Sequence, residues 1–224
     1  MGNMIRMMMN DGAEINVWHA EPAGERRGGL VLVQEIFGIT PHIREVADDF
    51  AARGFEVLAP ALFDREEPGF EVGYDAPDFS RAVALAFHQH PYERSVADVG
   101  DCVAALASKG AVFCIGYCYG GSVAWSAAAE GFDGLKAVSS FYGSKVPTGG
   151  EVPQVPTIAH FGRFDEGIPI AGVEALAANP PELASVHVYN AGHGSNSDRR
   201  DSYHEASAKL AMERTLALFA ANGG

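Results

Sequence analysis

Short apolar runs alternate with longer segments of helical periodicity along most of the chain. Residues 29–33 are continuously apolar, which is typical of a central strand that is buried on both faces. Residues 41–53 begin with Pro41 and are followed by Gly54, and these two residue types commonly mark the start and the end of a helix. Residues 56–60 then have the composition of another strand. A strand, a helix and a second strand therefore follow one another in the first third of the chain.

The same alternation continues along the rest of the sequence. Further strands are predicted at 15–19, 111–115, 137–141, 157–161 and 186–189, and further helices at 93–109, 122–130, 168–178 and 203–219. Strands that alternate with helices predict an α/β fold, with a doubly wound, mostly parallel sheet and helices on both faces. No linker or internal repeat divides the pattern, so we expect residues 1–224 to form a single domain.

The least regular part of the sequence is residues 62–80. Residues 62–80 are rich in proline, glycine and acidic residues, and we expect them to form a lid or the mouth of a site. His88 and His90 alternate in a helical segment, so their side chains point in different directions. Solvent exposure is therefore a better interpretation of this pair than a metal site.

Composition and charge limit the classes of function. The hydrophobic content of 47% is enough for a large core, and the net charge of −13 disfavours nucleic acid and anionic membranes as partners. No apolar run is long enough for a signal peptide or a membrane helix, so we expect a soluble, cytoplasmic protein, and we expect a monomer. Three cysteines do not make a disulfide framework or a metal-ligand spacing, and Cys102 and Cys114 are expected to be core thiols.

The third cysteine lies in a different context. Residues 116–121 read Gly-Tyr-Cys-Tyr-Gly-Gly between a predicted strand and a predicted helix, which is the pattern of a nucleophile elbow with Cys118 in the place of serine. Gly116 and Gly120 suit the sharp turn that such an elbow requires. The start of a helix favours a thiolate over a thiol, and the thiolate is the reactive form. The alternative is a glycine-rich turn with a buried, unreactive cysteine.

A base and an orienting acid follow Cys118 in the chain, each after a predicted strand. Asp165 lies in the loop after 157–161, and His193 lies between two glycines after 186–189. Nucleophile, acid and histidine in this order are typical of the α/β-hydrolase fold. Taken alone, each would be a turn or surface residue, but the set of three predicts nucleophilic catalysis by Cys118, His193 and Asp165.

These motifs resemble those of the dienelactone hydrolase family. The resemblance rests on residues 34–38 (Gln-Glu-Ile-Phe-Gly), on 116–121, on Phe164 with Asp165, on 191–193 (Ala-Gly-His) and on 213–216 (Glu-Arg-Thr-Leu). It implies an esterase without a cofactor or metal, which opens a small carboxylated lactone in the breakdown of catechols. Cys118 would be the nucleophile, His193 the base and Asp165 its orienting acid. The backbone N–H groups of Ile36 and Tyr119 would bind the oxyanion.

Glu35 follows the central apolar strand, and an ionised group at that place is costly unless it is paired. We therefore expect Glu35 to have a partner. The resemblance implies that Glu35 contacts the thiol of Cys118 and accepts its proton when substrate binds. The alternative is a structural carboxylate that is bonded to backbone N–H groups or to an arginine.

The resemblance also implies a substrate site with Phe37 and with two arginines that hold the substrate carboxylate. Arg81 matches the first arginine, whereas Ser197 stands where the second would fall. Arg199 or Arg200 would then compensate, with Arg199 as the candidate substrate contact. The alternative for these two residues is a solvated basic pair before the last helix.

Three functions remain open on the sequence alone. The first is a cysteine-dependent hydrolase of a small carboxylated lactone or ester. The second is a general carboxylesterase or thioesterase, which the altered pocket allows. The third is a ligand-binding or redox-sensing protein that uses Cys118 without turnover. An intact Asp165 and His193 argue against the third, because a sensor has no need of an oriented base.

Overall fold

Eight strands form one sheet in the order β1-β2-β4-β3-β5-β6-β7-β8 in the computed structural model, which describes residues 1–224. The strands are β1 Asn3–Met8, β2 Glu14–Ala20, β3 Gly28–Val33, β4 Phe55–Pro60, β5 Val112–Tyr117, β6 Leu135–Phe141, β7 Thr157–Gly162 and β8 Ala184–Tyr189. The α-helices are α1 Pro41–Ala52, α2 Ala76–Ala84, α3 Tyr92–Ala107, α4 Tyr119–Glu130, α5 Ile170–Ala178 and α6 Glu205–Ala221, and a π-helical turn, Leu85–Gln89, continues α2. None of the helices combines the length and the apolar composition that a membrane crossing requires.

The six strands from β3 to β8 are parallel to one another, and β1 and β2 are antiparallel additions at one edge. The prediction of an α/β fold with a mostly parallel sheet is therefore confirmed. Strand β1 was not predicted. Its sequence, Asn-Met-Ile-Arg-Met-Met, has little β-branched character, and β2 is its one strand partner.

Two apolar cores, one on each face of the sheet, fix the central strands in place. In β3, Val31 and Val33 point to one core, whereas Leu30 and Leu32 point to the other. All six residues of β3 are buried, as the continuous apolar run predicts. Helices α3 and α4 contribute mainly to the first core, and α1 and α6 contribute to the second. The C-terminal ends of β3 and β5 are consequently rigid platforms for the residues that follow them.

The irregular region is more firmly packed than a free lid. Phe63 and Phe70 are buried in the core on one face of the sheet, and residues 76–80 already belong to α2. The prediction that His88 and His90 are both exposed to solvent was wrong for His90. This side chain is buried because it bonds to Glu66, which lies in the irregular region. His88 is exposed, as expected.

Candidate active site

The turn between β5 and α4 holds Cys118 in a strained backbone conformation. Cys118 has a φ of 56° and a ψ of −116°, in a region that L-residues other than glycine rarely adopt. A Cβ on Gly116 would lie 1.9 Å from the carbonyl oxygen of Gly120, and a Cβ on Gly120 would lie 2.4 Å from two carbonyl oxygens at the end of β3. Both glycines are therefore required by close backbone contacts, as the elbow pattern predicts.

Cys118, His193 and Asp165 lie together at the C-terminal edge of the sheet. The Nε2 of His193 is 3.1 Å from the Sγ of Cys118, and the Nδ1 of His193 donates to the Oδ2 of Asp165 at 2.7 Å. The other carboxylate oxygen of Asp165 accepts from the backbone N–H of Gly167 at 2.8 Å. The acid is thus held from both sides, and the imidazole faces the sulfur with its second nitrogen. This arrangement can transfer a proton between sulfur and nitrogen.

The surroundings of His193 favour its protonated form. Burial disfavours a charge on the imidazole, but the hydrogen bonds to Asp165 and Cys118 outweigh burial and raise the pKa of His193 to about 10.

The other two cysteines have no such environment. Cys102 and Cys114 are fully buried, and burial raises the pKa of both thiols. Cys118 is partly exposed. The expectation that Cys102 and Cys114 are core thiols is consistent with their place in one core cluster. Cys118 is therefore the one thiol within reach of a small molecule from solvent.

Two backbone N–H groups lie on neighbouring parts of the sheet edge. The register of β3 and β5 pairs Val33 with Gly116, and Ile36 and Tyr119 each follow three residues later. The N–H of Ile36 donates no hydrogen bond within the protein. Tyr119 is the first residue of α4, where a backbone N–H has no acceptor inside the helix. Both groups are available to an oxygen atom at this edge.

Glu35 is buried, and the one hydrogen-bond partner of its carboxylate is an arginine from the far end of the chain. The Oε1 of Glu35 accepts from the Nη1 of Arg200 at 3.1 Å, whereas Oε2 is buried without a partner. The expectation that this carboxylate has a partner is therefore met. The thiol of Cys118 bonds to His193 and not to Glu35 in this structure. The arrangement matches the alternative in which an arginine balances the buried charge.

Arg200 lies between this carboxylate and two aromatic rings. Its guanidinium carbon is 5.8 Å from the centre of the Phe37 ring and 5.4 Å from that of Tyr74. Gly194 directly follows His193, and a Cβ on Gly194 would lie 2.5 Å from the Nη1 of Arg200. The side chain of Arg200 is only 20% exposed, so it is not the solvated residue that the alternative interpretation described. Phe37 is buried beneath Tyr74 and does not reach the surface.

Arg81 and Arg199, the other two candidate substrate contacts, line the same open cleft of about 550 Å³. Arg81 pairs with Glu67, and Arg199 pairs with Glu45. The remaining lining residues of this cleft are Thr40, Pro41, His42, Glu71, Val72, Gly73, Tyr74 and Asp78. Cys118 is not among them. Tyr74 of this lining packs against Arg200, and Arg200 bonds to the buried Glu35.

Tyr142 is a neighbour of the site that the sequence did not indicate. Its ring centre is 5.0 Å from that of His193, and its backbone φ of 40° is the second positive value among the non-glycine residues. Burial, and then the nearby charge of Glu35, raise the pKa of the Tyr142 hydroxyl well above its ordinary value. The one signal in the sequence that could have indicated Tyr142 is its position directly after β6. Functional residues often lie at this edge of a parallel sheet.

No group of three or more histidine, cysteine or carboxylate side chains is arranged to hold a metal ion.

Comparison with known proteins gives one consistent family. The model of the dienelactone hydrolase family matches residues 15–223. A carboxymethylenebutenolidase from Pseudomonas sp. strain P51 is 34% identical, over 89% of this chain and 87% of the relative. A putative carboxymethylenebutenolidase from Salmonella typhimurium is 32% identical, over 98% of this chain and 87% of the relative. The crystal structure of a putative dienelactone hydrolase from Klebsiella pneumoniae superposes with a TM-score of 0.82 at 30% identity, and 98% of each chain is covered.

Proposed function

Since this chain belongs to the dienelactone hydrolase family and is an ester or lactone hydrolase, we propose that it opens small carboxylated lactones or esters through an acyl-enzyme on Cys118. The observation that carries this proposal is the pair of contacts of His193, 3.1 Å to the sulfur of Cys118 and 2.7 Å to Asp165. Nucleophile, base and orienting acid are thereby within hydrogen-bond reach of one another.

Acylation begins when the thiolate of Cys118 attacks the carbonyl carbon and the π electrons move to the oxygen. The N–H groups of Ile36 and Tyr119 then stabilise the oxyanion. When the carbon–oxygen single bond breaks, the leaving alkoxide takes the proton from Nε2 of His193. In a lactone the leaving hydroxyl stays attached to the acyl group. The product of this half-reaction is a thioester on Cys118.

Deacylation uses the same residues in reverse. His193 takes a proton from water as the water oxygen attacks the thioester carbonyl. Asp165 stabilises the imidazolium that forms and keeps its Nε2 directed at the reacting atoms. The sulfur leaves as a thiolate, and His193 is again protonated.

Glu35 offers a route for activating the thiol that depends on substrate. A substrate carboxylate that bonds to Arg200 would compete with Glu35 for the guanidinium. The freed carboxylate would then lie in a buried environment and could accept the proton of the Cys118 thiol. When the product carboxylate leaves Arg200, Glu35 would return this proton to the sulfur and bond to Arg200 again. A thiol that ionises only with substrate bound is less exposed to oxidation.

Three arginines support a carboxylated substrate. Arg81 and Arg199 line one cleft, and Arg200 packs against Tyr74 of that cleft and bonds to Glu35. The names of the two relatives, a carboxymethylenebutenolidase and a putative one, support a carboxymethylene lactone as the substrate. The family resemblance implies that such a lactone comes from the breakdown of catechols. The free thiols of Cys102, Cys114 and Cys118 support the cytoplasm as the compartment, because reduced cysteines persist there.

A general carboxylesterase or thioesterase is the second candidate. The observation in its favour is that Arg81 and Arg199 already have carboxylate partners, Glu67 and Glu45. These ion pairs reduce the net positive charge that a substrate carboxylate would meet.

The test compares a carboxymethylene lactone with a neutral aryl ester. In the proposed enzyme, Arg81→Gln and Arg199→Gln lower kcat/KM for the lactone by roughly 10-fold each and leave the neutral ester unchanged, because one charge-assisted hydrogen bond is lost. Arg6→Gln is the matched control, since Arg6 forms an exposed ion pair on β1. Equal effects on both substrates would favour the general esterase. Turnover by Cys118→Ala would overturn the assignment of the nucleophile.

A further inference from the structure

A series of three hydrogen bonds, two of them buried and one partly buried, connects the residue after the nucleophile to the irregular region. The hydroxyl of Tyr119 is 2.9 Å from the Oγ of Ser95, and this Oγ is 2.9 Å from the Nε2 of His90. The Nδ1 of His90 is 2.8 Å from the Oε2 of Glu66. Ser95 is fully buried, and the side chain of His90 has no exposed surface. These residues come from three separate parts of the chain.

The chemistry of these groups sets the direction of each bond. An ionised carboxylate can only accept, so Nδ1–H of His90 donates to Glu66. With this hydrogen on Nδ1, Nε2 can accept from the hydroxyl of Ser95, and the oxygen of Ser95 can accept from the hydroxyl of Tyr119. Burial raises the pKa of Tyr119 to about 12, although the bond to Ser95 opposes the rise, so this hydroxyl remains a donor. Each hydroxyl and ring nitrogen in this hydrogen-bond series has a partner in this arrangement.

Tyr119 is held by its ring as well as by its hydroxyl. The ring centre lies 5.6 Å from that of Phe63 and 5.7 Å from those of Phe87 and Tyr92. Two of these three contacts have edge-to-face geometry, which is favourable for aromatic pairs. The side chain therefore has one available position, although its backbone follows a strained residue.

We propose that Glu66, His90 and Ser95 are positioning residues, which act through the Tyr119 side chain to hold its backbone N–H in place for the oxyanion. This inference rests on the proposed function, in which that N–H is one of the two oxyanion donors. The peptide between Cys118 and Tyr119 directly follows the strained backbone of Cys118, so rotation of this peptide would relieve strain. An anchored side chain on the next residue opposes that rotation. A hydrogen-bond network that served only the stability of the fold would not need to end on Tyr119.

The decisive variants remove single hydroxyl groups and keep the rings. In Tyr119→Phe and in Ser95→Ala, kcat for a neutral aryl ester falls about 5–10-fold, while KM changes less than twofold. We expect a larger change in kcat than in KM because oxyanion donors bind the transition state more strongly than the bound substrate. Complete loss of a donor costs about 10²–10³-fold, so a misdirected donor costs part of that. The double variant is no slower than Tyr119→Phe alone, because both changes break the same connection.

Glu66 provides a test by conservative rescue. Glu66→Gln keeps an oxygen that accepts from His90 and retains most of kcat, whereas Glu66→Leu falls to the level of Ser95→Ala. The matched control is Ser139→Ala, which removes a buried hydroxyl that bonds to Thr215 in the other core. This control lowers the melting temperature without lowering kcat.

The outcomes separate the two proposals. Wild-type kcat in Tyr119→Phe and Ser95→Ala, with melting temperatures lowered as in Ser139→Ala, would overturn the positioning role and leave the proposed function intact. Full turnover by Cys118→Ala would overturn the proposed function first. Additive losses in the double variant would also contradict the inference, because they would mean that Ser95 acts by another route.

Discussion

Arg200 and Glu35 are separated by 165 positions in the sequence, yet the guanidinium of Arg200 donates to the buried carboxylate across 3.1 Å. This bond joins the end of the central strand β3 to the loop that carries His193. It is also the bond that a substrate carboxylate would break in the proposed reaction. The stability of the protein and the activation of its thiol therefore depend on the same pair.

Removal of Arg200 alone should strongly destabilise the fold. Arg200→Gln leaves a buried carboxylate without its counter-charge, and we expect a loss of about 3–5 kcal/mol in the free energy of unfolding. The double variant Glu35→Gln with Arg200→Gln should recover much of this loss. Urea unfolding of the three proteins gives the comparison. Arg199→Gln is the control, because Arg199 is 48% exposed and should cost below about 1 kcal/mol.

Replacement of Glu35 separates a structural carboxylate from a proton acceptor. If Glu35 takes the proton of Cys118, Glu35→Gln should lose at least about 10-fold in the burst rate of acylation, because an amide does not accept a proton at neutral pH. Iodoacetamide should alkylate wild-type Cys118 faster with a carboxylate ligand present, and this enhancement should vanish in the variant. Equal acylation rates in both proteins would leave His193 as the only base.

From the strained backbone at Cys118 we predict an unusual order of stability for two variants of this residue. Cys118→Ala should abolish hydrolysis with the fold intact, and Cys118→Ser should be severely impaired, because a hydroxyl is harder to deprotonate. Cys118→Gly should be at least as stable as Cys118→Ala, although glycine ordinarily costs about 0.5–1 kcal/mol relative to alanine. Thermal unfolding compares the two variants, and Cys102→Ser should retain turnover as the control. A clearly less stable glycine variant would contradict the strain.

His193 and Asp165 should matter unequally. His193→Ala removes proton transfer to the leaving group, worth about 10²–10⁴-fold in kcat. Asp165→Asn leaves an imidazole in place, although it is less well oriented, so we expect a smaller loss. Steady-state rates on an aryl ester measure both. Glu166→Gln is the neighbouring control, and an inactive Glu166→Gln beside a fully active Asp165→Asn would identify the wrong acid.

The pKa of His193 predicts how stability changes in alkaline solution. Its folded-state pKa is raised from 6.5 to about 10, so the protonated imidazole stabilises the native state fully below pH 6.5. This contribution is lost as the pH rises from about 6.5 through about 10. The difference in melting temperature between wild type and His193→Gln should therefore shrink across this window. A constant difference would show that the imidazole does not hold an extra proton in the folded protein.

The sequence predicted the parts of the site that depend on local chain geometry. Cys118, Asp165 and His193 each follow a strand that a short apolar run marks, so the parallel sheet brings them to one edge. The buried position of Glu35 likewise predicted a partner, because an unpaired buried charge is too costly. Which arginine supplies that partner depends on the path of the loop after His193, and no local pattern records it.

The errors have the same origin. The helical pattern of its own segment predicts that His90 is exposed. In the structure its ring nitrogens bond to Glu66 and Ser95 instead. Strand β1 exists because β2 offers an edge, while its own residues have weak strand preference. For His90 the deciding contact comes from Glu66, 24 positions away, and for β1 it comes from the neighbouring strand β2. In both cases the contact lies outside the segment whose own pattern was used.

The register that pairs Val33 with Gly116 has a practical meaning for protein engineering. Backbone hydrogen bonds between β3 and β5 set the spacing of the reacting groups, so apolar exchanges of equal volume in these strands should preserve the chemistry. The cleft that holds Arg81 and Arg199 is built from different stretches, chiefly residues 71–81 and 199. Mutant libraries confined to those positions could alter which substrates are accepted and would leave Cys118, His193 and Asp165 unchanged.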